Sequence, residues 1–227
     1  NPQNLFLYAS YELSAGSFFG VMLPLALLSL VGLLAACLFF PKGVIQVDFS
    51  QPCAISSKKH LALYTLLFLL CLLSVFRVLH YGVLTVIVAA LIFAADRSIL
   101  RKVDYCLLLT FVCFFVFAGN IGAISQVRDF LSDLLERSAV LSSILASQVI
   151  SNVPAAVLLA GFTEDWQGLL VGTNLGGMGT LIASLASLIS FKLYAAQPEA
   201  RPGRYLAVFT AVNAAGLLIL VPLSYLL

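Results

Sequence analysis

The sequence predicts an all-α membrane protein, a polytopic helical bundle in which two segments are interrupted at membrane depth. Three observations carry that prediction. The chain is 62% hydrophobic and only 10% charged, with a mean hydropathy of +1.08, which excludes an ordinary soluble domain. Several apolar runs approach or exceed the ~20 residues that cross a bilayer. Near the C-terminal end, "GTNLGGMGTLIAS" (172–184) sets four glycines, two threonines and an asparagine where a spanning helix ought to run smoothly.

Taken in order, residues 4–14, "NLFLYASYELS", form a short apolar piece. Gly16 and Ser17 separate it from a full span over about 18–41, which stops at Pro41-Lys42. The apolar run 17–41 is too long for the core of a signal peptide. The polar stretch 42–60, with Pro52, Cys53 and Lys58-Lys59, reads as a linker. Spans follow at about 61–79, 82–96 (ending in "DRSILRK") and 104–120. Residues 125–137, "SQVRDFLSDLLER", put Val127, Phe130, Leu131, Leu134 and Leu135 on one helical face with charges opposite, the pattern of a helix lying in the membrane interface.

Two interrupted segments come next. Residues 139–161 carry "SNVP" at 151–154, and each flank is too short to span alone. The natural reading is a re-entrant hairpin with Ser151 to Pro154 at its tip. Residues 166–195 are long enough for one span but are predicted to break over 172–180. A clean last span covers 205–227. Six segments are thus expected to cross, whole or broken, with the hairpin and the interfacial helix besides.

Charge orients the chain. With the linker 42–60 cytoplasmic, alternation also puts 97–102 and 192–204 inside, giving nine Lys and Arg on that side against Arg77, Arg128 and Arg137 on the other. This satisfies the positive-inside rule. The net charge of +2 and the lack of a basic stripe give no sign of nucleic acid as a partner. Cys37, Cys71, Cys106 and Cys113 lie in apolar runs and are expected as small buried hydrophobes, and no Cys/His cluster suggests a metal site or disulfide framework.

Irregular backbone at membrane depth is tolerated only against protein or a water-filled cavity, because each unpaired group costs several kcal/mol in hydrocarbon. The interruptions therefore need a use. Gly176, Gly177 and Gly179 let the chain unwind. Unwinding exposes carbonyls, which attract cations, and N–H groups at a helix start, which attract anions. Thr173, Asn174 and Thr180 add neutral donors and acceptors. The hairpin tip offers Ser151 and Asn152, then Pro154, whose missing N–H costs nothing at a helix start. Two such ends meeting near the midplane are the device of many secondary transporters. The competing reading of the glycines is helix packing through small residues.

"SNVPAAVLL", followed some twenty residues later by "GTNLGGMGTLIASLASLISF", resembles the second half of the ion transporter superfamily: divalent anion/sodium symporters, citrate transporters, arsenite permeases and related sodium/proton antiporters. Ser151-Asn152 match the hairpin-tip Ser-Asn of the anion symporters. Val153 departs from the Thr usual there, and Pro154 is closer to the Asn-x-Pro of the arsenite and antiporter branches. The resemblance implies an inverted-repeat fold in which each half holds a hairpin and a broken helix. "NPQNLFLYASYELSAGSFF" then resembles the first-half counterpart of the broken helix, with a polar break over Asn1, Pro2 and Asn4 and a half-helix to about Ser14. Residues 1–41 would be the end of the first repeat, 42–60 a cytoplasmic linker and 61–227 the second repeat. The chain has no initiating Met, and this piece alone is not expected to transport.

The implied function is secondary active transport by alternating access in a multi-pass protein of a bacterial plasma membrane. No charged residue lies within 139–161 or 168–191, and proton-coupled carriers generally need a titratable group in the membrane. The expectation is Na⁺-coupled uptake of a small anion, a di- or tricarboxylate or an oxyanion, with no cofactor. Na⁺ would be held at Ser151, Asn152, Thr173 and Asn174. Asp96, Asp104, His60 and His80 read as caps at span ends, and Glu12 as the one candidate acid inside a half-helix. The alternatives are a sodium/proton antiporter or arsenite-type efflux permease, with H⁺ in place of Na⁺ as the coupling ion in the former. A channel or an intramembrane enzyme ranks lower, since there is no HExxH, no GxSxG and no His deep in a span. The bilayer is the obligatory partner, and a homodimer is compatible with the fold.

Overall fold

The computed structural model describes residues 1–39 and 57–226, and among them there are helices and no strands. Cys53 and the core of the linker 42–60 lie outside the described residues. The helices are, in chain order, Pro2–Ser10 (α1), Ala15–Cys37 (α2), Lys58–Val75 (α3), Tyr81–Ala95 (α4), Arg97–Leu100 (α5), Tyr105–Gly122 (α6), Ser125–Arg137 (α7), Ala139–Ile150 (α8), Asn152–Leu159 (α9), Trp166–Leu175 (α10), Leu185–Ala195 (α11) and Pro202–Ser224 (α12). A single 3-10 turn, Leu181–Ala183, lies between α10 and α11.

The chain divides into two compact units, Asn1–Ala35 with Cys106–Leu227, and Ala36–Tyr105. The smaller one holds α3, α4 and α5, and its caps are the polar residues at the span ends. Ser57 accepts from His60 N at 3.3 Å to start α3, and His80 Nδ1 accepts from Gly82 N at 3.1 Å to start α4. Asp96 Oδ1 accepts from Ser98 N at 3.0 Å and from Ser98 Oγ at 2.5 Å. The Ser98 hydroxyl, first among these partners, holds the Asp96 carboxyl below the usual carboxylate range. Asp96 and His80 are thus occupied in capping.

Among the described residues, three helices are long and apolar enough to cross a membrane: α2, α3 and α12. A fourth candidate is the pair Leu108–Gly122 and Ser125–Arg137, bent by 99° at the break between them. That bend separates α6 from α7, whose bounds agree with the amphipathic stretch 125–137 read from sequence. On α7, Leu135 is buried and Val127, Leu131 and Leu134 are partly covered, while Phe130 is 64% exposed. The apolar face is therefore shared, Leu135 packing into the protein and Phe130 pointing outward. The helix α4 has 15 residues, which at 1.5 Å each is shorter than a bilayer core.

The spanning helices turn their apolar side chains outward. Leu25 is the buried residue of α2 and Leu220 that of α12. This is the inverse of a soluble fold and fits hydrocarbon as the solvent. Cys37, Cys71, Cys106 and Cys113 follow the same rule. They are free and exposed, which corrects the expectation of buried cysteines: they sit on outward faces of apolar helices. Among the described residues no three His, Cys, Asp or Glu group into a metal site.

The core of the larger unit is built by short helices. Leu7 of α1, Leu135, Ala139, Ala156, Leu159, Leu169 and Leu170 form one buried cluster. At its centre α10 lies against α8 through small residues. Gly168, Gly172 and Gly176 recur every fourth residue, as do Ala139, Ser143 and Ser147 opposite them. A Cβ on Gly172 would come within 2.6 Å of Val140 O, and one on Gly176 within 2.6 Å of Ser147 Oγ. The Ser143 and Ser147 hydroxyls donate to their own helix at Ala139 O (2.6 Å) and Ser143 O (2.7 Å), so the close contact leaves no polar group unpaired there.

Three boundaries differ from the sequence reading. The unwound stretch after α10 runs over 176–184, not 172–180. Thr173 and Asn174 stay helical, and their side chains donate back to Leu169 O and Leu170 O, both at 2.8 Å. At the start of the chain Pro2 to Asn4 form the first turn of α1 instead of a break, with Pro2 at a position that needs no N–H. The half-helix ends at Ser10, so Glu12 lies beyond it, exposed, in the turn into α2, with φ 51°.

Candidate functional site

Two chain interruptions and one helix start converge in the larger unit. The segment 139–161 is two helices broken at Ser151, whose φ of 72° and ψ of 153° no helix accommodates. Asn152 opens α9, 5% exposed, and Pro154 follows, buried in the first turn. The other interruption begins at Gly176. Gly177 N donates to Asn174 O at 3.2 Å, which tightens the end of α10. Gly179 carries φ +108°, a conformation that L side chains rarely adopt.

Gln148 ties the two together. From the end of α8 its Nε2 donates to Gly176 O and Met178 O, both at 2.9 Å, and its Oε1 accepts from Thr180 N at 2.8 Å. One amide therefore satisfies three backbone groups that unwinding had released. Thr180 Oγ1 donates to Gln148 O and Ser151 Oγ to Ala183 O, each at 3.3 Å. Asn152 closes the junction: a Cβ on Gly177 would lie 2.9 Å from Asn152 Nδ2 and 3.3 Å from Asn174 O. Only a glycine at 177 lets the start of α9 and the end of α10 come this close.

The third member is α1. Asn4 and Asn174 face one another amide to amide, Asn4 Nδ2 donating to Asn174 Oδ1 at 3.1 Å and Asn174 Nδ2 to Asn4 Oδ1 at 2.6 Å. Tyr11 Oη, two turns along, donates to Ala160 O (3.1 Å) and Thr163 O (2.8 Å) at the end of α9. With Tyr11 beside Ala160 and Asn4 near the level of Asn152, α1 and α9 run side by side in the same direction. Leu7 fills the space between these levels, fully buried.

Of the residues singled out in the sequence, Asn152, Asn174, Gly177 and Asn4 are brought together. Ser151, Gly176, Gly179 and Thr180 surround them as the turning backbone that Gln148 holds. Thr173 stands apart in function: it is fully buried, with its hydroxyl bonded to its own helix. Asn1 and Pro2 are exposed at the start of α1, and the Asn1 carbonyl accepts from Asn4 N and Leu5 N. No Asp, Glu, Lys, Arg or His occurs in α8, α9, α10 or the turns at their meeting ends, so the junction's polarity comes from amides, hydroxyls and free backbone ends.

Two residues were missed. Gln148 is the one amide in "AVLSSILASQVI", and a polar side chain three residues before a tip is a legible signal for a backbone clamp. Gln3 is the second. It is fully buried, and neither Nε2 nor Oε1 has a hydrogen-bond partner among the described residues. It was hidden because the sequence "NPQN" read as a loop, whereas the helix turns Gln3 and Leu7, one turn apart, to the same inner face.

Comparison with known proteins gives a consistent picture. The family model described as citrate transporter matches residues 1–165. An uncharacterized transporter of Methanocaldococcus jannaschii is 35% identical over 222 residues, 97% of this chain and 60% of its own length. An inner membrane protein of Escherichia coli is 34% identical over 204 residues, 85% of this chain and 53% of its own. The chain thus spans between half and two thirds of the length of these relatives. No solved structure matches it.

Proposed function

We propose that this chain, which belongs to the citrate transporter family, supplies one half of the substrate passage of a secondary active transporter, with Na⁺-coupled uptake of a small anion such as a di- or tricarboxylate as its activity. The observation that carries the reading is the junction of Asn152, Gly177, Asn174 and Asn4. Interrupted helices at membrane depth are the usual place for substrate and coupling ion in such carriers.

The chemistry favours an anion with a metal cation. An Asn offers its carbonyl oxygen to a cation and its amide N–H to an anion. The start of α9 presents unpaired N–H groups with Asn152 in the first position, the favourable end of the dipole for a carboxylate. The carbonyl-rich turn after α10 is the complementary end for Na⁺. No titratable side chain lies at the junction to carry a proton, and this supports Na⁺ over H⁺. Gln3 adds an enclosed amide in the neighbouring turn of α1, which a ligand could satisfy. The hairpin reading of 139–161, the inverted repeat and the cytoplasmic placement of 42–60 belong to the same proposal, together with alternating access.

The test is uptake of radiolabelled citrate by the full-length protein in proteoliposomes, with Na⁺ and pH gradients imposed separately. Saturable uptake that follows an inward Na⁺ gradient at fixed pH is expected. Uptake driven by the pH gradient alone, with Na⁺ without effect, would replace Na⁺ by H⁺ as the coupling ion. Flux that never saturates would point to a channel.

A further inference from the structure

A groove of about 410 Å³ runs along the outer side of α12, lined by Arg201, Arg204, Tyr205, Val208, Phe209 and Asn213, with Tyr194 of α11 and Val212 completing it. We infer that this groove holds one anionic glycerophospholipid, its phosphate at Arg201 and Arg204 and an acyl chain along α12 toward Asn213. The inference is independent of the junction described above and of the transported substrate.

The groove is polar at one end only. Arg201 and Arg204 are both exposed, and among the described residues neither has an ion-paired carboxylate. Glu199 is exposed two residues before Arg201 and forms no ion pair with either arginine, and Lys192 adds a third cation in the last turn of α11. The start of α12, with Pro202 in its first turn and no side-chain cap, gives the same end the positive side of a helix dipole. An anion is the charge complement of that end. Below it the lining turns apolar. Val208 and Val212 are exposed, and Asn213 has spent its amide on Phe209 O at 2.8 Å. From Arg204 to Asn213 is nine residues, about 14 Å of helix, a length that matches a charged head with a hydrocarbon tail.

The aromatic side chains set the level in the membrane. Tyr205 stacks between Tyr194 (centroids 4.8 Å, 28°) and Phe209 (5.9 Å, 12°), with Phe191 at 5.6 Å. The Tyr194 hydroxyl accepts from Arg201 N at 3.1 Å, which fixes the loop that carries the first arginine. Tyrosines with an apolar body and a wet hydroxyl mark the headgroup region, and basic pockets between spanning helices on the cytoplasmic side are where anionic headgroups bind. The sequence places 192–204 on that side. A free phosphate would use the arginines but not the apolar trough, so the occupant is a lipid.

The test is native mass spectrometry of the full-length protein in detergent, with dioleoyl phosphatidylglycerol, dioleoyl phosphatidylcholine and inorganic phosphate as probes. Wild type should retain one phosphatidylglycerol and hold phosphatidylcholine several-fold more weakly, and millimolar inorganic phosphate should not displace the lipid. The double variant R201Q/R204Q should lose phosphatidylglycerol roughly thirtyfold, on the scale of two basic residues acting on an anionic lipid. R201K/R204K should keep it, and R97Q/R101Q should match wild type. Filling the trough with Val208→Trp should weaken both lipids. Equal retention of the two lipids, an unchanged R201Q/R204Q, displacement by phosphate, or a groove found closed by a second copy or another segment of the protein would each overturn the inference.

Discussion

The amide of Gln3 is enclosed with neither end hydrogen-bonded among the described residues, and a buried amide left in that state costs about 1–3 kcal/mol. Gln3→Leu removes that cost while keeping the volume, so the ligand-free protein should melt several degrees higher, read by thermal unfolding in detergent. If Gln3 serves a ligand, the same variant should also weaken citrate binding; unchanged affinity would make Gln3 a structural residue only. Gln148 is the opposite case, with its amide fully engaged. Gln148→Leu should release the turn after α10, with a loss of about 2–4 kcal/mol for three backbone partners, seen as faster hydrogen exchange over 176–180 than in wild type. Exchange unaltered there would deny Gln148 its clamping role. The sequence made Asn152 and Asn174 visible because each is a lone amide beside a helix breaker. It concealed Gln3, since one amide among three in the first four residues gives no sign of which face it takes.

The helices α8 and α10 show why the break moved in sequence. Four glycines in one stretch suggested a single unwound loop, yet they divide by spacing. Gly168, Gly172 and Gly176 repeat every fourth residue and serve close packing against Ala139, Ser143 and Ser147, while Gly177 and Gly179 fall off that repeat and serve the turn. The small-residue reading of the glycines and the helix-break reading are both present, one turn apart. Gly172→Val should therefore destabilise the protein by about 1–3 kcal/mol through overlap with Val140 and Ser143. Gly119→Ala, where nothing lies within 4 Å, should be neutral or slightly stabilising. Equal melting temperatures for the two variants would contradict the packing. The bounds of the apolar helices were legible to within a few residues because apolar length sets them, although among the described residues three, or four with the bent pair, and not six, are long and apolar enough to cross. The ends of α1 and α10 were not, because Asn4 and Asn174, read as parts of breaks, are helical and bond amide to amide across 170 positions.

Across the whole chain, what could be read was the class: an integral multi-pass membrane protein with outward-facing apolar surfaces, two interruptions and an amphipathic helix set off from α6 by a 99° bend. What could not be read was which polar residues meet, since Asn4 and Asn174 are 170 positions apart and no spacing rule spans that distance. The orientation rests on Lys and Arg counts. Cys53 should therefore react with membrane-impermeant thiol reagents from the cytoplasmic side only, and labelling of Cys53 in intact cells would reverse the topology.

The central claim is that the two interruptions form one binding site for substrate and Na⁺. Equilibrium binding of radiolabelled citrate to the purified full-length protein, titrated at several Na⁺ concentrations at fixed pH, tests it most directly. Wild-type affinity should rise with Na⁺, and Asn152→Ala and Asn174→Ala should each need roughly tenfold more Na⁺ or citrate for half-saturation, the cost of one or two lost hydrogen bonds to a charged ligand. Citrate affinity and Na⁺ dependence unchanged from wild type in both variants would show that the junction is a packing feature and that the substrate binds elsewhere.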